Sequence, residues 1–240
     1  MYLPDYKGGS IVNLMSSIGR AFGWKSPYMP LKGLDVKGLS ESTNVVLLVM
    51  DGFGYELLKK RAKNTVFSKN LKRKMTSLFP STTANCIPMF NYGVPAQQHA
   101  LSAWDVYLKE IGMVATLLPF TLKSARYISL KRYMKPADIF TEKPFYERIN
   151  VDSYALFPQV LVNTDCTKAM VKKTKRFAYK NDLEMFNRIK RIVKSNDKKK
   201  FIHAYNIEID HLCHDNSPES KKVSAYIKKF DKRSTKIIIS

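Results

Sequence analysis

The stretch Asn44-Val-Val-Leu-Leu-Val-Met50, followed by Asp51-Gly-Phe-Gly54, decides the fold that this sequence predicts. Its six consecutive apolar residues predict a strand buried on both faces, because a strand with one face in water would alternate apolar and polar side chains. Such strands occur in parallel sheets whose two faces are covered by helices. The glycines after Asp51 let the backbone pass close to its carboxylate, at the strand end where such sheets bind ligands.

Strand and helix patterns alternate along the rest of the chain. Short apolar runs predict further strands at Thr76–Phe79, Met113–Leu118, Phe201–Ile207 and Lys236–Ser240. Apolar positions at helical spacing predict helices at Ile11–Phe22, Asp182–Lys194 and Val223–Phe230, and a lysine-rich helix is predicted from Tyr55 to about Lys74. This alternation is typical of an α/β fold with a mostly parallel sheet flanked by helices.

We therefore expect a single α/β domain over residues 1–240, with Val45–Met50, Phe201–Asn206 and Lys236–Ile239 as neighbouring strands. Residues 120–180 are weakly patterned, with scattered prolines and many basic side chains. We expect this range to form an insertion or cap over one face of the sheet.

The composition limits the classes of protein and partner. Lysine and arginine number 41 against 20 aspartates and glutamates, and the net charge of +21 is compatible with phosphate esters, nucleic acid or anionic membranes. The basic residues are scattered, which favours ordinary solvated lysines over a nucleic-acid-binding face. Three widely spaced cysteines argue against a disulfide framework, and no apolar run is long enough to cross a membrane. We expect a soluble, cytoplasmic protein without membrane or nucleic-acid partners.

Two groups of residues, one after each of the first two predicted strands, could carry chemistry. Asp51 stands where a metal ion could bind, although the alternative is a simple turn in which Asp51 only caps the next helix. The second group is the hydroxyl run in Phe79-Pro-Ser-Thr-Thr-Ala84. Its hydroxyls and the helix start could bind an anion, and a threonine there could act as a nucleophile beside a metal ion. Helix capping alone is the alternative.

A third group is Asp210-His-Leu-Cys-His214. Asp210 and His214 are four residues apart, so on a helix they lie on the same side and could share one metal ion. A solvated polar helix start is the alternative. Two of the chain's four histidines lie beside two aspartates here, which favours the metal site.

Taken in order, these groups resemble the type I phosphodiesterase / nucleotide pyrophosphatase family of the alkaline phosphatase superfamily. The resemblance rests on Asp51-Gly-x-Gly after a strand, Phe-Pro-Ser-Thr-Thr-Ala, Gly93-x-Pro95-x-x-x-His99 followed by Trp104, Tyr107 and Glu110, and Tyr205 with Asp210-x-x-x-His214. It covers most of the chain and is weakest across residues 120–180. It implies an alkaline phosphatase-like fold.

The resemblance also implies a pair of divalent metal ions, zinc or alternatively manganese, and a phosphate-ester or nucleotide substrate. Asp51 and Thr83 would bind one ion, and Asp210 and His214 the other. Thr83 would be the catalytic nucleophile and would form a transient phosphothreonine. Trp104 would contact the substrate, since it stands where better-known members carry an asparagine that contacts the phosphate. Ala100 also departs from the family, which has a glycine there.

Three further metal ligands of the family are missing from the sequence. The family continues from a strand like Lys236–Ser240 into an Asp-His-Gly motif and a later histidine. We therefore expect a metal-dependent phosphoester hydrolase whose chain is truncated at the C-terminus and whose activity is weak or absent as it stands. The first alternative is an inactive phosphate- or nucleotide-binding remnant of the same fold. The second is a basic nucleic-acid-binding protein.

Overall fold

The structure is a computed structural model that describes residues 2–172 and 174–238 of the 240-residue chain. It divides into two compact units. Unit 1 comprises Met1–Ser42, Met75–Val151 and Asn163–Thr174, and unit 2 comprises Thr43–Lys74, Asp152–Val162 and Lys175–Ser240. The expectation of one domain over the whole chain stays a prediction. In the described residues no helix is long and apolar enough to cross a membrane, and no disulfide joins the cysteines.

The strands and helices alternate along the chain. The strands of the described residues are β1 (Asn44–Met50), β2 (Asp105–Leu108), β3 (Met113–Thr116), β4 (Thr121–Leu122), β5 (Asp152–Pro158), β6 (Lys175–Tyr179) and β7 (Lys200–Asn206). Their α-helices are α1 (Ile11–Ala21), α2 (Val36–Glu41), α3 (Tyr55–Arg61), α4 (Val66–Lys69), α5 (Thr83–Tyr92), α6 (Ala96–His99), α7 (Pro136–Ile139), α8 (Asp165–Val171), α9 (Asp182–Val193), α10 (Glu208–Asn216) and α11 (Lys221–Ile238). Short 3-10 helices lie at Leu130–Arg132 and Phe145–Glu147.

Unit 2 is built on a four-stranded sheet in the order β1-β7-β5-β6, in which all neighbouring strands are parallel. β1 and β7 pair from Asn44 opposite Lys200 to Met50 opposite Asn206. The parallel sheet and the neighbouring positions of these two strands confirm the sequence prediction. Because the strands are parallel and in register, their carboxyl ends lie side by side at one edge of the sheet.

Helices α9 and α11 pack on this sheet through their apolar sides, and they confirm the two helices predicted there. Phe186 of α9 and Phe230 of α11 have ring centroids 5.0 Å apart, in one buried cluster with Ile202 of β7. A second buried cluster joins Ile209 of α10 to Ile227 of α11. The sheet is therefore flanked by helices, as an α/β fold requires.

The strand predicted at Lys236–Ser240 is wrong over its described residues, because α11 continues to Ile238. Buried residues recur at helical spacing along this helix, at Val223, Ile227, Phe230 and Ser234. Burial of this stripe outweighs the preference of isoleucine for strands, which amounts to only about 1 kcal/mol or less per residue. The last two residues of the predicted strand lie outside the described residues.

Two predicted elements near the start of the chain are shorter than expected. The helix predicted from Tyr55 to about Lys74 is divided into α3 and α4, because Asn64 between them has a positive φ of 64° that no continuous α-helix allows. The strand predicted at Thr76–Phe79 is reduced to a single parallel bridge between Thr76 and Ser10.

Strands β5 and β6 lie within residues 120–180, where the sequence predicted an insertion or cap. Both belong to the parallel sheet of unit 2, so this part of the prediction missed two sheet strands. The apolar run Tyr154-Ala-Leu-Phe157 in β5 is four residues long, and a run this short cannot be distinguished from a buried helix segment by pattern alone. Residues 120–151 and 163–174 belong to unit 1.

Unit 1 packs α1 against α2 and α5 and carries a small antiparallel sheet in the order β2-β3-β4. Met15 of α1, Tyr92 of α5 and Phe145 are fully buried in its core. The Trp24 ring meets Phe145 edge-on, with centroids 5.8 Å apart. The helix predicted at Ile11–Phe22 is confirmed as α1, and the predicted third strand is confirmed as β3.

Candidate functional site

The pairing of β1 with β7 brings Asp51 and the start of α10 to the same end of the sheet. The ladder extends one residue past β1, because the Asp51 N–H donates to the Asn206 carbonyl at 2.8 Å. From Asn206 the chain passes through Ile207 into α10, whose first turn carries Asp210. Two carboxylates that are far apart in the sequence therefore come from the ends of neighbouring strands.

Gly52 approaches the backbone of α10 so closely that no side chain would fit. Its φ of +71° lies in the left-handed region, which glycine adopts without the steric cost of a Cβ. A Cβ added to Gly52 would lie 2.8 Å from the Asp210 Cα and 2.9 Å from the Asp210 nitrogen. The glycine after Asp51 thus permits the close backbone passage that the sequence predicted.

The two carboxylates interact electrostatically. Partial burial raises the pKa of Asp210, the negative charge of Asp51 raises it further, and His214 and His211 lower it. The net direction of the Asp210 pKa is upward, because desolvation, followed by repulsion from the Asp51 carboxylate, outweighs the two histidines. A bound cation would relieve that repulsion, so the electrostatics of the pair suit a metal ion.

Asp210 and His214 lie on the same side of α10, as their spacing predicted. The His214 Nε2 is 3.6 Å from the Asp210 Oδ2, and the two side chains are 78% and 27% exposed. A carboxylate oxygen and an imidazole nitrogen are both ligands that zinc takes. By ligand type, Asp51, Asp210 and His214 fit a divalent metal. Across the described ranges, however, no group of three or more His, Cys, Asp and Glu side chains could together hold an ion.

Tyr205 contacts Asp51, a role that the sequence did not predict. Its hydroxyl donates to the Asp51 Oδ2, while the Gly52 N–H donates to the Oδ1 at 3.0 Å. Tyr205 is buried one residue before the end of β7, opposite Val49 of β1. The sequence does show a tyrosine near the carboxyl end of a predicted strand. Its contact with Asp51 could be predicted only once β1 was known to neighbour β7.

A buried carboxylate at the start of α9 links the end of β7 to α11 through hydrogen bonds. Asp182 accepts hydrogen bonds from the Asn206 Nδ2 at 3.1 Å, the Tyr226 hydroxyl at 2.8 Å and the Arg233 Nη1 at 3.0 Å. These donors come from the end of β7 and from α11. The network fixes the end of β7 from which α10 begins, because each donor is part of a packed element.

An open cavity of about 340 Å³ lies at the carboxyl ends of β5, β6 and β7. Amide, hydroxyl and charged groups line it, among them those of Gln159, Tyr179, Lys180, Asn206 and Glu208. Such groups could hydrogen-bond a small polar ligand. The sequence analysis did not find this cavity, because its walls come from three separate strand ends, two of which were not predicted.

Thr83 lies in unit 1 as the first residue of α5, after Thr82 as the N-cap. The Thr82 side chain makes no capping hydrogen bond. The preceding loop is closed instead by Asn85, whose Nδ2 donates to the Pro80 carbonyl at 2.7 Å. Thr83 is partly exposed at this helix start, where backbone N–H groups favour an anion.

Trp104 also lies in unit 1, just before β2, and is 43% exposed. Its carbonyl accepts a hydrogen bond from the Leu117 N–H at 3.1 Å. His99 of the same motif is buried, and its Nδ1 accepts from the Leu101 N–H at 3.1 Å. Burial lowers the pKa of His99 to about 4, so its imidazole is neutral at pH 7. Ala100, where the family has glycine, adopts a positive φ of 60°.

Comparison with known proteins agrees with this architecture. Two solved structures of murine ectonucleotide pyrophosphatase / phosphodiesterase 5 are similar to the chain. The first has a TM-score of 0.58 and 18% identity, and the match covers 81% of this chain and 51% of that chain. The second, an inactive form in complex with AMP, has a TM-score of 0.59 and 17% identity, with 82% and 52% covered. A search of curated proteins found no match.

The chain thus spans about half the length of these structures. At such identities the likeness concerns the fold, and it confirms the predicted alkaline phosphatase-like α/β architecture. The family model for type I phosphodiesterase / nucleotide pyrophosphatase matches residues 45–238 of the chain. This range includes Asp51, Thr83, Asp210 and His214. Because that match extends over most of the chain, the protein belongs to the type I phosphodiesterase / nucleotide pyrophosphatase family.

Proposed function

We propose that the protein is a metal-dependent phosphoester hydrolase that acts on phosphodiester or nucleotide substrates with Thr83 as its nucleophile. The observation that carries this proposal is the meeting of Asp51 and Asp210 at the carboxyl edge of the parallel sheet, with His214 one helical turn further along α10. This edge is where parallel α/β sheets present their chemistry.

On the family pattern, Asp51 and Thr83 are assigned to one divalent ion and Asp210 and His214 to the other, with zinc favoured over manganese by the imidazole ligand. When bound, such ions lower the pKa of a hydroxyl and offset the charge that develops on phosphoryl oxygens. The upward pKa direction of Asp210 supports a cation beside it.

The chain's own groups would carry the phosphoryl transfer as follows. The Thr83 Oγ1 forms a bond to phosphorus as the bond to the leaving oxygen breaks; the hydroxyl proton passes to solvent, and the leaving oxygen takes a proton from solvent. A water oxygen then bonds to phosphorus as the bond to Oγ1 breaks, and Oγ1 takes a proton from that water. The position of Thr83 at the start of the ten-residue α5 supports this role, because the first backbone N–H groups and the helix dipole favour the anionic phosphoryl group.

We further propose a nucleotide as one substrate class. The description of a relative as bound to AMP supports it. The exposed indole of Trp104 offers a face on which a base could stack, and this is the role we assign to Trp104. The cavity at the ends of β5, β6 and β7 offers amide and charged groups to a polar ligand.

The test compares two neighbouring threonines. With a bis-aryl phosphodiester and saturating zinc, Thr83→Ala should abolish the weak turnover expected of the wild-type chain, whereas Thr82→Ala should keep most of it. Thr82 is the matched control, because it is adjacent, of the same type, and its side chain makes no capping hydrogen bond. Loss of turnover in Thr82→Ala and its retention in Thr83→Ala would exclude Thr83 as the nucleophile.

A second candidate function is phosphate or nucleotide binding without catalysis. It is favoured by the absence, in the described ranges, of any cluster of three metal-binding side chains, since catalytic zinc usually has three protein ligands. This candidate predicts that AMP binds while wild-type turnover stays at the buffer rate even at saturating zinc. Measurable zinc-dependent turnover that Thr83→Ala abolishes would exclude it. The cytoplasmic location expected from the sequence stays a prediction, which cell fractionation of the tagged protein would check.

A further inference from the structure

Two of the hydrogen bonds to the Asp51 carboxylate come from donors of different origin. The Gly52 N–H, which donates to the Oδ1 at 3.0 Å, is the next peptide group of the same turn and moves with Asp51. The Tyr205 hydroxyl, which donates to the Oδ2, belongs to β7 and joins the carboxylate to the neighbouring strand. The hydrogen bond from Gly52 therefore restrains the carboxylate within its own turn, and the one from Tyr205 restrains it relative to the neighbouring strand.

Tyr205 is itself held on several sides. It is 3% exposed, and its ring centroid lies 6.2 Å from that of Phe157 in β5. Its backbone carbonyl accepts a hydrogen bond from the hydroxyl of Tyr179 at the end of β6. Three strands thus fix the position of this phenol, so its hydroxyl presents a donor at a defined place beside Asp51.

We propose that Tyr205 is a positioning residue that orients the Asp51 carboxylate for a divalent metal ion. The inference rests on the proposed function, which assigns Asp51 to a metal. The hydrogen bond from the phenol fixes the rotation of the carboxylate, so less rotational freedom is lost when a metal ion binds. Hydrogen-bonding partners of metal ligands commonly change metal affinity by about 10–100-fold when they are removed.

The test is a zinc titration of the metal-free chain by calorimetry, with the absorption spectrum of bound Co²⁺ as a second readout. Tyr205→Phe removes only the hydroxyl, and we expect zinc affinity at the Asp51 site to fall about tenfold, with a changed Co²⁺ spectrum. Tyr146→Phe is the matched control, because it also removes a buried phenol hydroxyl, which donates to the Asn91 Oδ1 at 2.8 Å in unit 1. In Tyr146→Phe both readouts should stay as in wild type.

A third variant separates the two levels of the proposal. If Asp51→Asn weakens zinc binding and Tyr205→Phe does not, the positioning role of Tyr205 is refuted while the metal assignment survives. If Asp51→Asn leaves zinc binding unchanged, the metal assignment in the proposed function is refuted. Adding Tyr205→Phe to Asp51→Asn should cause no further loss, since the carboxylate that Tyr205 orients is then absent.

Folding is checked by circular dichroism before each titration. If Tyr205→Phe does not fold, Tyr179→Phe replaces it, because it removes the donor to the Tyr205 carbonyl and leaves the Tyr205 hydroxyl in place. We then expect a smaller loss of zinc affinity in the same direction. Unchanged affinity in a folded Tyr179→Phe would contradict the proposal.

Discussion

Gly52→Ala is the substitution with the most clearly defined consequence in this protein. The new methyl group would lie 2.8 Å from the Asp210 Cα and 2.9 Å from its nitrogen, and these are backbone atoms that cannot turn aside. The φ of +71° costs an L-residue about 1–2 kcal/mol, and forcing packed groups apart costs about 1–3 kcal/mol more. We expect the free energy of unfolding to fall by about 3 kcal/mol.

Urea unfolding measures this loss. With a urea dependence of about 3 kcal/mol per M, the midpoint should decrease by about 1 M. Gly54→Ala is the control two residues away, because its φ is −74° and no atom lies within 4 Å of the added Cβ. Its cost should stay below about 1 kcal/mol, as expected for alanine at an N-cap. Equal midpoints for the two variants would refute the close contact between Gly52 and α10.

Two other predictions concern acid and charge. Burial lowers the pKa of His203 to about 3 and that of His99 to about 4, so between these values and about 6.5 only the unfolded chain binds protons there. The free energy of unfolding, measured from urea midpoints, should therefore fall by about 2 kcal/mol from pH 6 to pH 5. His203→Gln should halve that fall, and a free energy of unfolding that does not change over this pH range would contradict the prediction. Lys228 and Lys232 are exposed one turn apart on α11. Lys228→Glu should raise the free energy of unfolding by about 0.5 kcal/mol at low salt, and 0.5 M NaCl should remove this gain. Lys229→Gln is the control, because it leaves the pair of residues 228 and 232 unchanged and should not give the same gain.

The sequence predicted the elements with long, unambiguous patterns. β1 and β7 are apolar over most of their length, and α9 and α11 have apolar stripes at helical spacing. The run Lys236-Ile-Ile-Ile was misleading, because three β-branched residues suggest a strand while the burial pattern that begins at Val223 continues the helix. Local preference and tertiary packing disagreed there, and packing prevailed.

The candidate site was predictable only in part, for a related reason. Asp51 and Asp210 each follow a recognisable strand, so their meeting follows from the order of a parallel sheet. Tyr205 and the cavity walls depend on which strands are neighbours and which way each side chain points. Pattern alone does not contain that information, since β5 and β6 were not predicted and the strand order β1-β7-β5-β6 departs from the chain order.

That strand order also bears on how the nascent protein emerges from the ribosome. Among the described residues β1 has β7 as its one sheet neighbour, and the two strands start at residues 44 and 200, so 200 − 44 = 156 residues separate their synthesis. At about 5–20 residues per second, this interval lasts about 8–30 s. During that time the six apolar residues of β1 have already been synthesised, but the strand that will pair with them has not. Unpaired apolar segments of this kind are prone to aggregate, so translation speed and chaperone supply should affect the yield of folded protein.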